Sequence, residues 1–234
     1  MELVKVLAHQ VRLVQHDQIP LSSLLNQSNL FKLRNLFNFS NAEVAQSSSN
    51  DLLVRFTGGL FPKNGKSSQI IDLAIFERKM ITSIEGNSED IDAMFDKVNA
   101  ALHEISGADW PDYLNPIVTA DESEIVAKFD FEFDNLFSTP FNRFINSQLS
   151  EEIKLGTAKP LVKPKDIKFD IDYLSDDKNL KDYNIQLSKK EFAFSPRPGY
   201  PLTERVFYSK APLKSSDHLR LLKTLEVELT KISK

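Results

Sequence analysis

Alternating apolar and polar residues mark strands along much of the chain. The stretch 124–133, EIVAKFDFEF, sets Ile, Ala and three Phe against Lys, Asp and Glu, and 166–173, DIKFDIDY, repeats the pattern. Period-two alternation gives a strand one buried and one solvated face, which is typical of antiparallel sheet. Further strands are predicted at 3–14, 51–62, 67–77, 80–85, 184–194 and 203–210.

Apolar residues at helical spacing predict the helices. In 88–106, six apolar residues recur at helical spacing and form one stripe, acids occupy the first turn and a glycine follows the end. A proline at the first helical position favours a helix over 140–153, and spaced leucines favour another over 216–232. The stretch 21–37 is also predicted to be helical, although Ser and Asn interrupt its apolar residues.

These elements predict an α+β protein with antiparallel sheets whose one face is covered by amphipathic helices. The order of strand, helix, several strands and amphipathic helix occurs twice, in 1–107 and in 121–234. Residues 108–120, which hold two prolines, would connect two similar lobes. Because no residue-by-residue similarity between the halves is visible, one continuous domain over 1–234 is the alternative.

The segment 57–69, TGGLFPKNGKSSQ, combines features of a phosphate-binding loop and of a hairpin. A phosphate loop ending in Gly65 needs a glycine where Leu60 stands, and it must open a helix, whereas the following residues are β-branched and apolar. Asn64-Gly65 is the pair preferred in a two-residue type I′ turn, so a hairpin is predicted. Its expected pairs are Val54–Ile75, Phe56–Leu73 and Gly58–Ile71 on one face, and Arg55–Ala74 and Thr57–Asp72 on the other.

Composition excludes several kinds of chemistry and partner. The 234 residues include no Cys, which rules out disulfides, thiolate metal sites and a Cys nucleophile. A formal charge of −4 disfavours nucleic acid and membrane surfaces as partners of the whole molecule. Polar residues interrupt the N-terminal stretch, which is predicted to be a strand and not a signal peptide, and no apolar run approaches the roughly 18 residues of a membrane span. We therefore expect a cytoplasmic protein.

The sequence contains no recognisable catalytic or cofactor-binding motif. The histidines, at positions 9, 16, 103 and 218, show no metal-ligand spacing, and no Gly-x-Ser-x-Gly nucleophile elbow occurs. Catalytic residues can still converge from distant positions. We assign neither catalytic residues nor a cofactor.

Four acids lie on the polar faces of two predicted strands: Asp130 and Glu132 on one, Asp170 and Asp172 on the other. If these strands were neighbours, their carboxylates would share a surface and could bind Ca²⁺ or Mg²⁺. Lysines on the same faces favour the alternative of a solvated sheet surface. No metal site is assigned. Whether the four carboxylates share a surface depends on which strands are neighbours in the sheet.

The stretch 191–214, EFAFSPRPGYPLTERVFYSKAPLK, has an unusual composition. Three prolines and a glycine stiffen a turn between two aromatic-rich strands, and basic residues lie among the aromatic ones. Residues 178–234 carry 12 basic and 6 acidic side chains, a net charge of +6, so the remainder carries −10. A stiff hairpin with solvated lysines is the alternative to a binding patch. The candidate binding residues are Arg197, Tyr200, Arg205, Tyr208 and Lys210.

The charge division and the lack of a catalytic signature favour a non-enzymatic binding or assembly protein that acts through protein–protein contacts. Its expected partner is another protein or a second copy of the chain. The alternative is an enzyme or small-ligand binder with an anion-recognising pocket between the lobes, near the 195–210 hairpin. Single-stranded nucleic acid could stack on the aromatic residues, but no motif of a known nucleic-acid reader supports that partner.

Overall fold

The computed structural model describes residues 1–14, 19, 21–46, 51–63, 66–106, 116–137, 144, 165–171 and 189–232. The strands in these ranges are β1 (Glu2–Leu13), β2 (Asn41–Gln46), β3 (Leu52–Lys63), β4 (Lys66–Phe76), β5 (Lys79–Glu85), β6 (Val118–Lys128), β7 (Ile167–Ile171), β8 (Lys190–Pro196) and β9 (Val206–Ala211). The α-helices are α1 (Leu21–Leu24), α2 (Gln27–Leu36), α3 (Ser88–Ser106) and α4 (Ser215–Ile232), and short 3-10 helices span Phe133–Leu136 and Leu202–Glu204.

The nine strands form one antiparallel sheet in the order β2-β3-β4-β5-β1-β6-β9-β8-β7. This confirms the α+β class and the antiparallel sheet that the alternation predicted. β1 pairs with β5 on one side and with β6 on the other, so β1 and β6 occupy the middle of the sheet. The sheet is therefore continuous from the strands of 1–107 to those of 121–234.

The hairpin of β3 and β4 has the predicted register. Gly58 has a left-handed φ of +67° and forms no ladder pair with Ile71. Ile71 lies at a bulge in the pairing of β4 with β5, and its side chain is exposed. Thus one predicted pair is absent because its glycine leaves the β conformation. The four predicted pairs that are present are Val54–Ile75, Phe56–Leu73, Arg55–Ala74 and Thr57–Asp72.

The segment that resembles a phosphate loop leads into a strand. β4 begins at Lys66, directly after Gly65, and continues to Phe76. The converging N–H groups of a helix start, which a phosphate loop requires, are therefore not available here. The two turn residues, 64 and 65, lie outside the described residues, so the turn type itself stays a prediction.

The described helices begin and end close to the predicted limits. α3 has the predicted bounds, and α4 starts one residue earlier than predicted. The stretch 21–37 forms two helices, because the chain breaks at Asn26, whose side chain caps α2 by accepting a 2.9 Å hydrogen bond from the Ser28 amide. The helix predicted at 140–153 lies outside the described residues, apart from residue 144.

Two predicted strands differ from the structure. β6 ends at Lys128, opposite the first residues of its antiparallel partners β1 and β9, although the alternation continued to residue 133. Phe129, Phe131 and Phe133 are nevertheless buried, so the alternation records burial and not ladder pairing. In β7, Phe169 was expected on the buried face but is 60% exposed at the edge of the described sheet.

Other strand limits shifted by a few residues. β8 begins at Lys190, and residues 184–188 of that prediction lie outside the described residues. β9 begins at Val206, because the preceding residues form a 3-10 helix. β2 was not predicted at all, since its short sequence NAEVAQ is half-buried or exposed throughout and lacks a clear apolar alternation.

Two hydrophobic clusters lie between the sheet and the helices. The larger joins α1, α2 and α3 to β1, β3, β4 and β5, with Phe56 and Phe95 among its fully buried side chains. The second joins α4 to β6, β8 and β9 around an aromatic group in which Phe131 stacks on Phe207 at 5.5 Å between centroids. β1 contributes to both clusters, through Ala8 and Val6 respectively.

Candidate functional site

Alternate residues of the central strands point away from the helices and form what we call the outer face of the sheet. Ala8 lies in the core beside α3, so its neighbours Leu7 and His9 lie on the outer face. The ladders extend this face to Glu124, opposite Leu7, and to Lys210, opposite Glu124. Among the described residues, the two large helix-packed clusters lie on the other side.

A row of polar side chains on the outer face is held by contacts between neighbouring strands. His9 Nδ1 lies 2.8 Å from Ser83 Oγ, and His9 Nε2 lies 3.7 Å from Glu124 Oε1. Tyr208 donates a hydrogen bond to Glu124; burial of the phenol, followed by this negative charge, raises the pKa of Tyr208 well above its usual value. The Tyr208 hydroxyl therefore stays protonated and fixed.

The arrangement of Ser83, His9 and Glu124 resembles a nucleophile with its base and orienting acid, a convergence that no local motif revealed. Acyl transfer also needs free N–H donors for the developing oxyanion. Ser83 lies inside β5 and pairs with His9 on β1 and with Asp72 on β4, so the local backbone belongs to the sheet ladders. His9 Nε2, at 3.7 Å from the carboxylate, makes no hydrogen bond within the described chain. The geometry suits a structural polar row better than catalysis.

A cavity of about 380 Å³ opens on the outer face beside this row. Its walls come from β1, β6 and β9 and from the turn after β8, so residues that are distant in sequence meet there. We call it the Arg197 cavity. It is lined by Lys5, Leu7, Glu124, Val126, Arg197, Pro198 and Tyr208.

The turn between β8 and β9, residues 197–205, forms one wall of the Arg197 cavity, and we call it the proline turn. Its backbone is tied to β9 where the Arg197 amide donates to the Val206 carbonyl at 2.9 Å. Gly199 has φ +86°, a left-handed value that suits glycine, and prolines flank it on either side. The Arg197 guanidinium lies 5.6 Å from the centre of the Tyr200 ring, within cation–π range.

The five predicted binding residues do not form one cluster. Arg197 and Tyr208 line the Arg197 cavity, and Tyr200 lies within cation–π distance of Arg197. Arg205 lies beside a separate cavity of about 230 Å³. Lys210 is on the outer face, where its hydrogen bond to a neighbouring carboxylate raises its pKa.

The partners of Arg205 and Lys210 are acidic residues. Arg205 Nη2 lies 3.5 Å from Glu132 Oε1, and Lys210 Nζ lies 3.0 Å from Glu122 Oε1. Lys5 and Glu124, which line the Arg197 cavity, were missed by sequence reasoning. Only the β1–β6 register brings them to this site, and no local motif signals that register.

The two acidic strands are not neighbours, so the proposed shared carboxylate surface does not exist between them. β9 and β8 lie between β6 and β7 in the sheet, and Asp130 and Glu132 follow the end of β6. Asp170 pairs with Glu191 on β8, and Asp172 lies outside the described residues. In the described ranges, no group of three or more His, Asp or Glu residues is placed to hold a metal ion.

A charged network lies on the helix side of the central strands. Asp92 of α3 accepts hydrogen bonds from Arg12 at 2.7 Å, from Gln10 at 3.1 Å and from Lys214 at 3.0 Å. Partial burial alone would raise the pKa of Asp92, but these donors hold it below the usual value. The Arg12 guanidinium also stacks on Phe95, 4.4 Å from the ring centre.

His218 of α4 is completely buried between two serines. Ser209 Oγ donates to the Ala193 carbonyl, so it accepts from His218 Nε2 at 2.9 Å, and His218 Nδ1 accepts from Ser123 Oγ at 2.9 Å. Burial lowers the pKa of His218 to about 4, so the imidazole is neutral at physiological pH. This histidine is part of the core, remote from the outer face.

The helices α3 and α4 meet at their N-terminal ends through two serines. The Ser88 amide donates to Ser215 Oγ, and the Ser215 amide donates to Ser88 Oγ, both at 2.9 Å. Each side chain thus caps the other helix and satisfies an N–H that has no partner within its own helix. Both serines are completely buried.

A second cavity, of about 400 Å³, lies near the other end of β1 between Val14, Phe76 and Arg78. Its lining residues flank gaps in the described chain after Val14, before Asp51 and before residue 116. We therefore assign no site to it.

A scan against models of protein families and a search of curated proteins both found no match for this chain. In the described part of the chain, no helix combines the length and apolar character needed to cross a membrane.

Proposed function

We propose that the protein is a non-enzymatic binding or assembly protein that contacts another protein, or a second copy of itself, through the proline turn. The observation that carries this proposal is the cation–π contact between Arg197 and Tyr200, at 5.6 Å from the ring centre. Within the described residues, no carboxylate lies at ion-pair distance from Arg197, while Tyr200 and Leu202 are 43% and 45% exposed. Arg and Tyr are enriched among residues that dominate binding energy at interfaces.

The rigidity of the proline turn supports a contact role. Prolines and backbone hydrogen bonds restrict the turn before binding, so less conformational entropy is lost when a partner orders it. The +6 charge of residues 178–234 against −10 in the remainder favours an acidic partner surface, including the acidic part of a second copy. The cytoplasm is the proposed location, because a chain without Cys suits a reducing compartment.

The test compares the wild type with Arg197→Ala/Tyr200→Ala by light scattering and by affinity capture. We expect a self-associated form or a captured partner with the wild type and a loss of at least tenfold in affinity with the double variant. Arg220→Ala is the matched control, because Arg220 is 79% exposed on α4 and pairs with Asp217. A wild type that stays monomeric and retains no partner would contradict the proposal.

A second candidate function is a small-ligand binder with an anion-recognising pocket. The Arg197 cavity favours it, because Lys5 and Leu7 of β1 line the same space as Arg197 and Tyr208. Its volume of about 380 Å³ lies in the range of small-molecule sites. If variants with Arg197 and Tyr208 substituted bound every small ligand of the wild type with unchanged affinity, this second function would be contradicted.

We also propose that 1–107 and 121–234 are two similar lobes sharing one sheet. The strand registers of the two halves support this proposal. Ala8 of β1 pairs with Ile84 of β5, and Ser123 of β6 pairs with Ala211 of β9. Ala8 and Ser123, the corresponding residues of the two halves, pair with each other.

The helix starts follow the same spacing. Ser88 begins α3 four residues after Ile84, and Ser215 begins α4 four residues after Ala211. An experimental structure tests the idea by superposing β1, β5 and α3 on β6, β9 and α4. Different helix directions over the two halves would contradict it.

A further inference from the structure

We propose that the Arg197 cavity binds a small organic carboxylate with an apolar body. This inference rests on the second candidate function, the anion-recognising pocket, and it specifies the ligand class. The ligand chemistry follows from three features of the described lining residues: a cation without a carboxylate partner, an apolar floor and an acidic residue at the far end.

Among the described residues that line the cavity, Arg197 is the cation without a carboxylate partner. Other cations around the cavity already have partners: Lys5 Nζ lies 3.1 Å from Glu85 Oε2, and Lys210 is bonded to Glu122. Arg197 has no carboxylate partner among the described residues, and its guanidinium lies within cation–π distance of Tyr200. A guanidinium offers two parallel N–H donors that match the two oxygens of a carboxylate.

The sheet register places the polar groups at two ends of the cavity. Tyr208 of β9 pairs with Ser195 of β8, so Arg197 lies two residues to one side of Tyr208 along the strands. Glu124 of β6 pairs with Lys210 of β9, which lies two residues to the other side of Tyr208. At about 3.3 Å per residue, Arg197 and Glu124 are separated by about 13 Å along the strands. A ligand bound at Arg197 therefore extends its body over the sheet towards Glu124.

The surface between these two ends is apolar. Val126 and Leu7 lie on the outer face, and Pro198 closes the cavity from the turn. An aliphatic or aromatic part of the ligand bound here would remove apolar surface from water and so gain binding free energy. A bare inorganic anion has no apolar surface to bury and lacks this contribution. The site therefore favours an acid with a hydrocarbon part over acetate or phosphate.

The charges favour a monoanion over a dianion. Two cations line the cavity, and Lys5 lies beside Glu85, so among the described lining residues Arg197 is the cation without a carboxylate partner. Glu124 accepts the hydrogen bond of Tyr208 at the other end of the cavity, so a second negative charge of a ligand there would lie beside an acidic side chain. A carboxylate meets this requirement, and a phosphate ester, with about −2 charge, does not.

The probe for the test is 3-phenylpropionate, titrated into the full-length chain and followed by ¹H–¹⁵N chemical shifts. We expect shifts at the amides around the Arg197 cavity and a Kd on the order of 0.1–1 mM, given the small number of ligand atoms. The neutral 3-phenylpropionamide, acetate and phenyl phosphate are expected to bind at least tenfold more weakly. Equal binding of the amide and the acid would overturn the proposal.

Variants assign the binding to Arg197. Arg197→Gln is expected to weaken 3-phenylpropionate at least tenfold, and Arg197→Lys severalfold, because a lysine keeps the charge without the planar pair of donors. The matched control, Arg220→Gln, is expected to bind as the wild type does. Unchanged binding in Arg197→Gln, or shifts confined to residues outside the cavity, would overturn the proposal. Thermal denaturation of each variant establishes that it is folded.

The carboxylate can belong to a free acid or to the last residue of a polypeptide, so a second arm uses N-acetyl-Gly-Gly-Phe and its C-terminal amide. Tighter binding of this peptide than of 3-phenylpropionate would assign the site to a polypeptide terminus, and the reverse would assign it to a free acid. Both results uphold carboxylate recognition. Partner capture that survives without any carboxylate binding would overturn the ligand assignment and leave the protein-binding function standing.

Discussion

Acidification should destabilise this protein through His218. The imidazole is buried between Ser123 and Ser209, where one nitrogen accepts and the other donates a hydrogen bond. Protonation would place a charge in the core and a hydrogen on the nitrogen that now accepts from Ser123. Burial therefore lowers the pKa of His218 from 6.5 to about 4 in the folded chain.

The magnitude follows from linkage. Because the folded pKa lies below the unfolded one, the unfolded chain takes up the proton first, and stability falls as the pH drops from about 6.5 towards 4. The full shift corresponds to about 3.4 kcal/mol, and the part lost between pH 7 and pH 5 is about 2 kcal/mol. Above about pH 7 the contribution of His218 is constant.

The assay is urea unfolding of the wild type and His218→Gln at pH 7 and pH 5. The glutamine has an acceptor and donors but does not titrate, so other groups, including Asp92, contribute equally to both proteins. We expect the free energy of unfolding to fall about 2 kcal/mol more in the wild type than in the variant. Equal losses in the two proteins would refute the assignment of a neutral buried His218.

Three further predictions address the helix starts, the aromatic core and the outer face. Ser88→Ala and Ser215→Ala should each cost about 1–2 kcal/mol in urea unfolding, because each leaves a buried amide of the other helix without its acceptor; stability equal to the wild type would contradict the reciprocal caps. Phe131→Ala should cost about 3–5 kcal/mol although Phe131 lies outside β6, whereas Phe169→Ala should cost well under about 1 kcal/mol, and comparable losses would contradict the burial difference. Because the pKa of Tyr208 is raised, Tyr208→Phe should leave the phenolate absorbance at about pH 11 unchanged, and a smaller signal in the variant would show that Tyr208 ionises normally.

Features controlled by neighbouring residues could be predicted from the sequence. The β3–β4 register follows from Asn64-Gly65 and the alternation on either side, so Val54 and Ile75 were paired correctly. The bounds of α3 follow from its apolar spacing and the residues at its ends. Both depend on interactions within about 20 residues, where the chain offers few competing arrangements.

The candidate site depended on contacts that span most of the chain. Arg197 and Tyr208 were recognised from composition, but Lys5 reaches them only because β1 lies beside β6. The same strand order separates Asp130 from Asp170, which the alternation alone could not decide.

The sequence by itself determined the local elements: the hairpin, the long helix α3 and the antiparallel character of the strands. The tertiary structure decided their neighbours, and with them the Arg197 cavity, the buried His218 and the joined ends of α3 and α4. The physical reason is that period and turn chemistry act along adjacent residues. Distant strands pair in the order that buries all of their apolar faces together. Many strand orders are compatible with the same local pattern, so that pattern cannot determine which one forms.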